Sequence, residues 1–281
     1  RDAVRGCAVA GLGLSGAYRT ASRLFSRHGF PYTTLPAPIQ VFADAETVRL
    51  MNDAELEQML SRALLVDGAA ALEIARRGFA DLLGADVSEG AESDFDAEVV
   101  RPAAGFDDLS GQTLYSMAHY RWGTEHDKIA EARPRDGTEV VTEFVLQSQP
   151  ALREPNRVRR AGLMRCVNRL GGRIVLAPTY FTTQSSNFFG YQKRELLRRL
   201  IRWLAPGAMP AAVIEAPNVS LTANVRPGGG ELLLTIFNLC ADRVDRLKLD
   251  MAPEWNGAAV DLLDGAEWRG APHSWRDGTL E

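Results

Sequence analysis

Apolar positions recur at helical spacing in some stretches and alternate in others, and the change from mixed to purely alternating grammar falls near residues 205–217. Residues 4–10 read as a strand. Residues 17–27 set Ala21, Leu24 and Phe25 on one side of a helix, with Gly29 suited to its stop. Residues 30–35 read as the next strand, so the opening predicts a β-α-β unit with a parallel pair. Asn52 with Glu55 three residues later forms an N-terminal cap ahead of Leu56, Met59, Leu60 and Ala63. Residues 64–66 follow as a buried strand end, and Asp67 or Gly68 starts a helix that runs through Arg77 to Gly78. This rhythm of strand, turn and helix predicts a doubly wound parallel sheet.

Farther along, residues 140–146 and 174–177 have strand character, the latter just after the Gly171-Gly172 turn. Residues 191–204 predict an amphipathic helix: Leu196, Leu197, Leu200, Ile201 and Leu204 face inward, Arg194, Arg198, Arg199 and Arg202 face outward, and Pro206 ends it. Residues 86–108, with their many acids, predict a solvated, insertion-like loop. After Pro217, residues 219–225 and 232–239 flank Gly228-Gly229-Gly230 as a hairpin, and residues 246–251 alternate Leu247, Leu249 and Met251 with polar partners. Residues 260–263 and the Asp264-Gly265 turn continue the pattern, which stops at Thr279-Leu280-Glu281 where a further strand is expected. The expected organisation is an α/β domain over residues 1–208 and a truncated antiparallel β-domain over residues 211–281.

Composition changes this picture little. The chain has 281 residues, 46% hydrophobic and 24% charged, which suits packed cores. Its net charge of −4 provides no field to draw in nucleic acid. The odd, scattered set Cys7, Cys166 and Cys240 argues for a reducing compartment and against a disulfide scaffold, so the cytoplasm is the expected location. No run approaches the ~18 apolar residues of a membrane-spanning helix, and residues before Arg1, with any signal they carried, are left open.

Candidate chemistry is sparse. Gly11-x-Gly13-x-x-Gly16 follows a strand and opens a helix, as a dinucleotide site requires, but Thr33, Thr34 and Leu35 stand where the ribose-binding acid belongs. Gly11, Gly13 and Gly16 are therefore a weak alternative as cofactor-binding residues, and the favoured reading is a tight turn of small residues. Cys166, in Met164-Arg165-Cys166-Val167-Asn168, has no glycines to frame a nucleophile elbow. His28, His119, His126 and His273 lack metal-site spacing, and His119 and His126 with Glu125 and Asp127 read as a solvated loop. Trp255, Trp268 and Trp275 can stack on a sugar, although packing in a small sandwich is favoured. No pair of acids can be chosen for glycoside hydrolysis. The reading assigns no catalytic residue, no metal and no cofactor, and leaves substrate-binding residues unassigned.

One resemblance runs across most of the chain. Leu64-Leu65-Val66-Asp67-Gly68-Ala69-Ala70, Arg77-Gly78-Phe79 and Leu82-Leu83-Gly84 resemble the non-catalytic trimerisation domain of β-galactosidase-type glycoside hydrolases. His28-Gly29-Phe30-Pro31-Tyr32 is similar to that domain's approach to its second strand, and residues 168–176 with the helix through Leu204 to its last strand and helix. Ile236-Phe237-Asn238-Leu239 resembles the short β-domain that follows. The resemblance implies a flavodoxin/amidotransferase-like fold without amidotransferase catalytic residues, and a parent carbohydrate-active enzyme whose catalytic acids lie in a preceding barrel. It also implies a homo-oligomer, possibly a trimer, whose loops rim a neighbour's sugar pocket. Such a barrel needs about 250 residues of its own, which these two domains leave no room for.

Overall fold

The computed structural model describes residues 8–15, 22, 25–26, 28–90, 97–115, 129–145, 160–181, 193–214, 218–226, 228–242, 244, 247–256, 275–276 and 279–280. The chain opens with strands β1 (Ala8–Ala10), β2 (Leu12–Ser15), β3 (Tyr32–Thr33) and β4 (Ile39–Phe42). Helices α1 (Ala45–Arg49) and α2 (Asp53–Leu60), strand β5 (Ala63–Val66) and helices α3 (Gly68–Arg76) and α4 (Ala80–Leu83) follow. An insertion then contributes β6 (Ala85–Ser88), β7 (Ala97–Val100), β8 (Thr113–Tyr115), β9 (Glu131–Pro134), β10 (Glu139–Val140), β11 (Thr142–Val145) and β12 (Arg160–Ala161). Strands β13 (Met164–Val167) and β14 (Arg173–Leu176) lead to helix α5 (Arg194–Leu204). The last part holds β15 (Ala211–Val213), β16 (Val219–Val225), β17 (Leu232–Asn238), β18 (Leu249–Met251), β19 (Trp275–Arg276) and β20 (Thr279–Leu280).

The central sheet has seven strands in the order β3-β2-β4-β5-β14-β13-β10. Its first five are mutually parallel, and β13 and β10 extend the far edge antiparallel. Counting only the parallel strands in chain order, the arrangement is 2-1-3-4-5. Successive side chains point to opposite faces, and both faces are buried. Ile39, Val41, Leu65 and Val175 join one core with Leu196, Leu197, Leu200, Ile201 and Leu204 of α5. Phe42, Leu64, Val66, Ile174 and Leu176 join the other, beneath Leu56 and Leu60 of α2 and Ala70, Ala71 and Ile74 of α3. This two-sided burial is why β4, β5 and β14 read as nearly unbroken apolar runs. Each fully buried leucine contributes roughly 1.5–3 kcal/mol relative to exposure.

Local signals set the helix ends. In α2 the Asn52 side chain accepts from the Glu55 N–H and the Glu55 carboxylate accepts from the Asn52 N–H, each at 2.9 Å, a complete capping box. Asp44 and Asp67 cap α1 and α3 in the same way, accepting from the N–H groups of Thr47 and Ala70 at 2.8 Å.

Four expectations change. The opening parallel pair is β2 with β3, so the first sheet strand starts at Leu12, while Ala8–Ala10 pairs antiparallel with β16 of the C-terminal hairpin. Short strands of small residues carry little periodicity, which is why the boundary shifts. The predicted helix over residues 17–27 lies largely outside the described residues, as do residues 4–7 and 260–265. The acid-rich stretch 86–108 is not simply a loop: β7 is internal to an antiparallel sheet of order β12-β11-β7-β8, and β6 pairs with β9. The strand predicted over residues 140–146 breaks at Val141 and serves two sheets, β10 in the central one and β11 in the insertion. On α5, Arg194 is buried; its Nη1 donates to the carbonyls of Val213 and Ile214 at 3.3 and 2.8 Å.

The predicted hairpin is present with full register from Val219↔Asn238 to Val225↔Leu232. A second C-terminal sheet has the order β15-β18-β20-β19. Ala211, Val213, Leu221, Leu249 and Met251 form the core between the two. This part is tied to the first through α5: Arg198 and Arg202 both donate to the buried Asp250, and Arg202 also reaches the Met251 carbonyl at 2.8 Å.

Candidate functional site

In an open parallel sheet the carboxyl ends of the strands face the crevice where ligands usually bind. Here β4 delivers Asp44, β5 delivers Asp67, and β14 delivers residues 178–181 to that edge. The last of these form a strap across the start of α3: the Gly68 N–H donates to the Thr179 carbonyl at 3.0 Å, and the Ala130 N–H donates to the Pro178 carbonyl at 2.8 Å. Asp67 is the centre of the junction. It is fully buried, with Oδ1 accepting from Ala70 N–H at 2.8 Å and Oδ2 from Phe181 N–H at 2.9 Å. Burial pushes its carboxyl up to about 7, against backbone bonds from Ala70, Phe181 and Ala69, with the nearby Asp44 adding to the rise. The Tyr180 phenol on the strap is also pushed up, by burial first and then by Asp67 and Glu89. Thr179 Oγ1 is buried and makes no hydrogen bond.

A proton near neutrality is the usual mark of a general acid. Asp67, however, is sealed from solvent and both of its oxygens already serve backbone donors. Asp44 is likewise engaged as the cap of α1. At this edge the geometry of Asp44 and Asp67 organises turns.

The glycines of the candidate phosphate turn belong to the sheet. Gly13 lies within β2 and Gly11 directly before it, so the strand runs through the motif where a dinucleotide site needs it to have ended; Gly16 lies outside the described residues. Gly11 has φ +145, and a Cβ there would stand 2.4 Å from the Pro31 carbonyl oxygen. At Gly13 a Cβ would meet the Gln40 side-chain amide at 2.4 Å. Close strand packing accounts for both residues.

The thiol of Cys166 is held in β13, donating to the Leu83 carbonyl at 3.4 Å, and burial pushes it up to about 11, far from a thiolate nucleophile. Cys7, His119, Glu125, His126, Asp127, Trp268 and His273 lie outside the described residues. His28 sits in the turn between Phe25 and Phe30, and Trp255 packs half-buried against the C-terminal core. No group of three metal-ligating side chains occurs among the described residues.

Two buried charge clusters escape sequence reading. Lys193, just before α5, pairs with Glu98 of β7 at 2.6 Å, both side chains 4% exposed. Burial pushes the Lys193 ammonium down, opposed by Glu98, whose Oε2 accepts no hydrogen bond. Arg165 of β13 donates to Glu139 and to the Ala104 carbonyl, both at 2.6 Å, and its guanidinium lies 5.1 Å from the ring centres of Phe106 and Trp203. With Arg199 bound to Asp108 on both oxygens, these groups clamp the insertion onto α5. The apolar neighbours of Glu98 in Ala97-Glu98-Val99-Val100, and the rarity of lysine in this arginine-rich chain, are the signals that mark the pair.

No protein family profile and no curated protein sequence matches the chain. Among solved structures it is similar to α-L-fucosidase isoenzyme 2 from Paenibacillus thiaminolyticus, with a TM-score of 0.56, 10% identity, and coverage of 96% of this chain and 46% of that one. A β-galactosidase from Bacillus circulans sp. alkalophilus aligns with a TM-score of 0.42 and 11% identity over 86% of this chain and 37% of its own. The chain therefore spans less than half the length of either protein. Its fold is that of a mixed α/β unit found within a glycoside hydrolase, with a mainly parallel sheet accompanied by small antiparallel ones.

Proposed function

We propose that this chain is the non-catalytic assembly portion of a carbohydrate-active enzyme, a doubly wound unit of the flavodoxin/amidotransferase type over residues 1–208 with an antiparallel β-domain over residues 211–281. The observation that carries the reading is the state of the acids at the carboxyl edge: Asp44 and Asp67 are both used as helix caps, and Asp67 is sealed from solvent. The parallel strand order 2-1-3-4-5 supports the fold assignment. Alignment of nearly the whole chain with less than half of a fucosidase supports a role beside a separate catalytic unit.

In this reading the chain forms a homo-oligomer, possibly a trimer, and accompanies an upstream catalytic barrel, shaping access to a sugar without transferring protons. The parent activity is β-galactosidase-like, and the odd, scattered set of three cysteines suits a reducing, cytoplasmic setting. No helix among the described residues is long and apolar enough to cross a membrane. Light scattering on the purified chain tests the assembly role. A mass that is a multiple of 30.8 kDa is expected; a monomer that persists at high concentration counts against it.

A further inference from the structure

Strand β17 is the last of its sheet, ordered β1-β16-β17, and among the described residues no strand pairs with its outer side. Natural edge strands are blunted by charges, proline or bulges that discourage pairing with another chain. The seven residues Leu232-Leu233-Leu234-Thr235-Ile236-Phe237-Asn238 have none of these, and their register with β16 is unbroken. The hydrogen-bonding phase is set at both ends of the hairpin. Arg226 N–H donates to the Glu231 carbonyl at 3.1 Å and Leu239 N–H to the Asn218 carbonyl at 2.9 Å, so odd-numbered residues turn their backbone groups toward β16. The N–H and C=O groups of Leu232, Leu234, Ile236 and Asn238 therefore point outward along the edge. Side chains alternate between the two faces. Ile236 stands opposite Leu221 on the core face, yet it is 42% exposed while Leu221 is fully buried. The C-terminal core is thus open along this strand, and Phe237 on the other face is 51% exposed.

We propose that β17 pairs antiparallel with β17 of a second copy of this chain, about a two-fold axis at Thr235. The contact rests on the assembly reading and deepens it by naming a surface; it joins copies two by two, whether single chains or trimers. An antiparallel edge is its own complement under two-fold rotation, because each outward N–H meets an outward C=O. This register sets Leu234 against Ile236 of the partner subunit, Leu233 against Phe237 of the partner subunit, and Thr235 against Thr235 of the partner subunit. The first pair continues the C-terminal core across the contact and the second covers the exposed ring. Aliphatic-aromatic and Thr-Thr pairs are favourable neighbours on a sheet. No charge lies between Glu231 and Asp242, so two copies of a chain of net charge −4 meet here without like charges opposed. An axis at Leu234 would instead set Glu231 against Phe237 of the partner subunit, and an axis at Ile236 would set Leu234 against Asn238 of the partner subunit, each a poorer match.

Disulfide trapping on the full chain reads this register. Pairing about Thr235 holds the two copies of that position in a close, non-hydrogen-bonded pair with Cα atoms about 4.5 Å apart, within disulfide range. The two Leu233 positions stand four residues out of step, about 14 Å apart. In a Cys240→Ser background, Thr235→Cys is expected to give roughly ten-fold more covalent dimer on mild oxidation than Leu233→Cys or the background alone. Mixing Leu233→Cys chains with Phe237→Cys chains should cross-link them where neither does so alone, and this pair decides if Thr235→Cys does not fold. Trapping at Thr235 no greater than at Leu233, or a mixture no better than its components, overturns the contact. If trapping fails while light scattering shows the native chain to be oligomeric, the edge contact falls and the assembly reading stands; a native chain that is monomeric throughout removes both.

Discussion

Asp67 is the residue at which stability and protonation meet. Its carboxyl is raised from 3.8 to about 7 by burial, a difference on the order of 4 kcal/mol. Because the folded value is the higher one, the contribution is complete below about pH 4 and is lost as pH rises toward about 7. Asp67→Asn has no such titration at this position. The stability difference between native chain and variant, from urea unfolding at a series of pH values, should therefore favour the native chain most at low pH and shrink toward neutrality. Asp250 presents the opposite case, a buried carboxylate that two arginines neutralise. Asp250→Ala removes the carboxylate that Arg198 and Arg202 share while Arg198 keeps Glu195 and Arg202 keeps the Met251 carbonyl, and a loss of about 1.5–3 kcal/mol is expected in the same experiment. Neither role is visible in the local sequence, since Asp250 sits between Leu249 and Met251 as the polar member of an alternating strand. Its arginine partners are about fifty positions away.

Among the elements, helix α5 is the hub. One face of it fills a core of the central sheet, its arginines hold β18, and Lys193 before its first turn holds β7. The apolar face of α5 was legible because five inward positions repeat at helical spacing; its polar contacts were not, because amphipathic spacing reports burial and says nothing of which acid an arginine meets. Arg194 departs from the pattern because two backbone carbonyls near β15 accept its guanidinium. Removing Lys193 alone, as Lys193→Met, should cost about 3–5 kcal/mol by stranding the Glu98 charge. Pairing it with Glu98→Leu should recover most of that loss, and a double-mutant cycle read by thermal unfolding checks the coupling. The capping box of α2 offers a smaller test on an exposed helix end: Asn52→Ala should cost about 1 kcal/mol. That cap was fully legible, because its donors and acceptors lie within four consecutive residues.

Across the molecule, the parallel core and the C-terminal hairpin follow from apolar periodicity. The exchange of β1 into the hairpin sheet does not, since a three-residue strand of small side chains carries no preference between the two partners. The acid-rich insertion misled for a related reason: Asp86 and Asp108 meet the distant Arg135 and Arg199, so composition resembles a solvated loop while pairing of β7 with β11 makes a sheet. The candidate site was legible only as a turn and a helix start; that Asp67 also seizes the Phe181 backbone depends on β14 lying next to β5. The proposed role is that of a chain that packs and positions while bond breaking happens elsewhere. Steady-state hydrolysis of aryl β-galactosides and aryl α-fucosides by the purified chain tests this without intermediaries. Release of the aryl group should be no faster than in buffer. Saturable turnover that disappears on Asp44→Asn or Asp67→Asn, in a variant that still folds, would show that the chain carries out the chemistry itself.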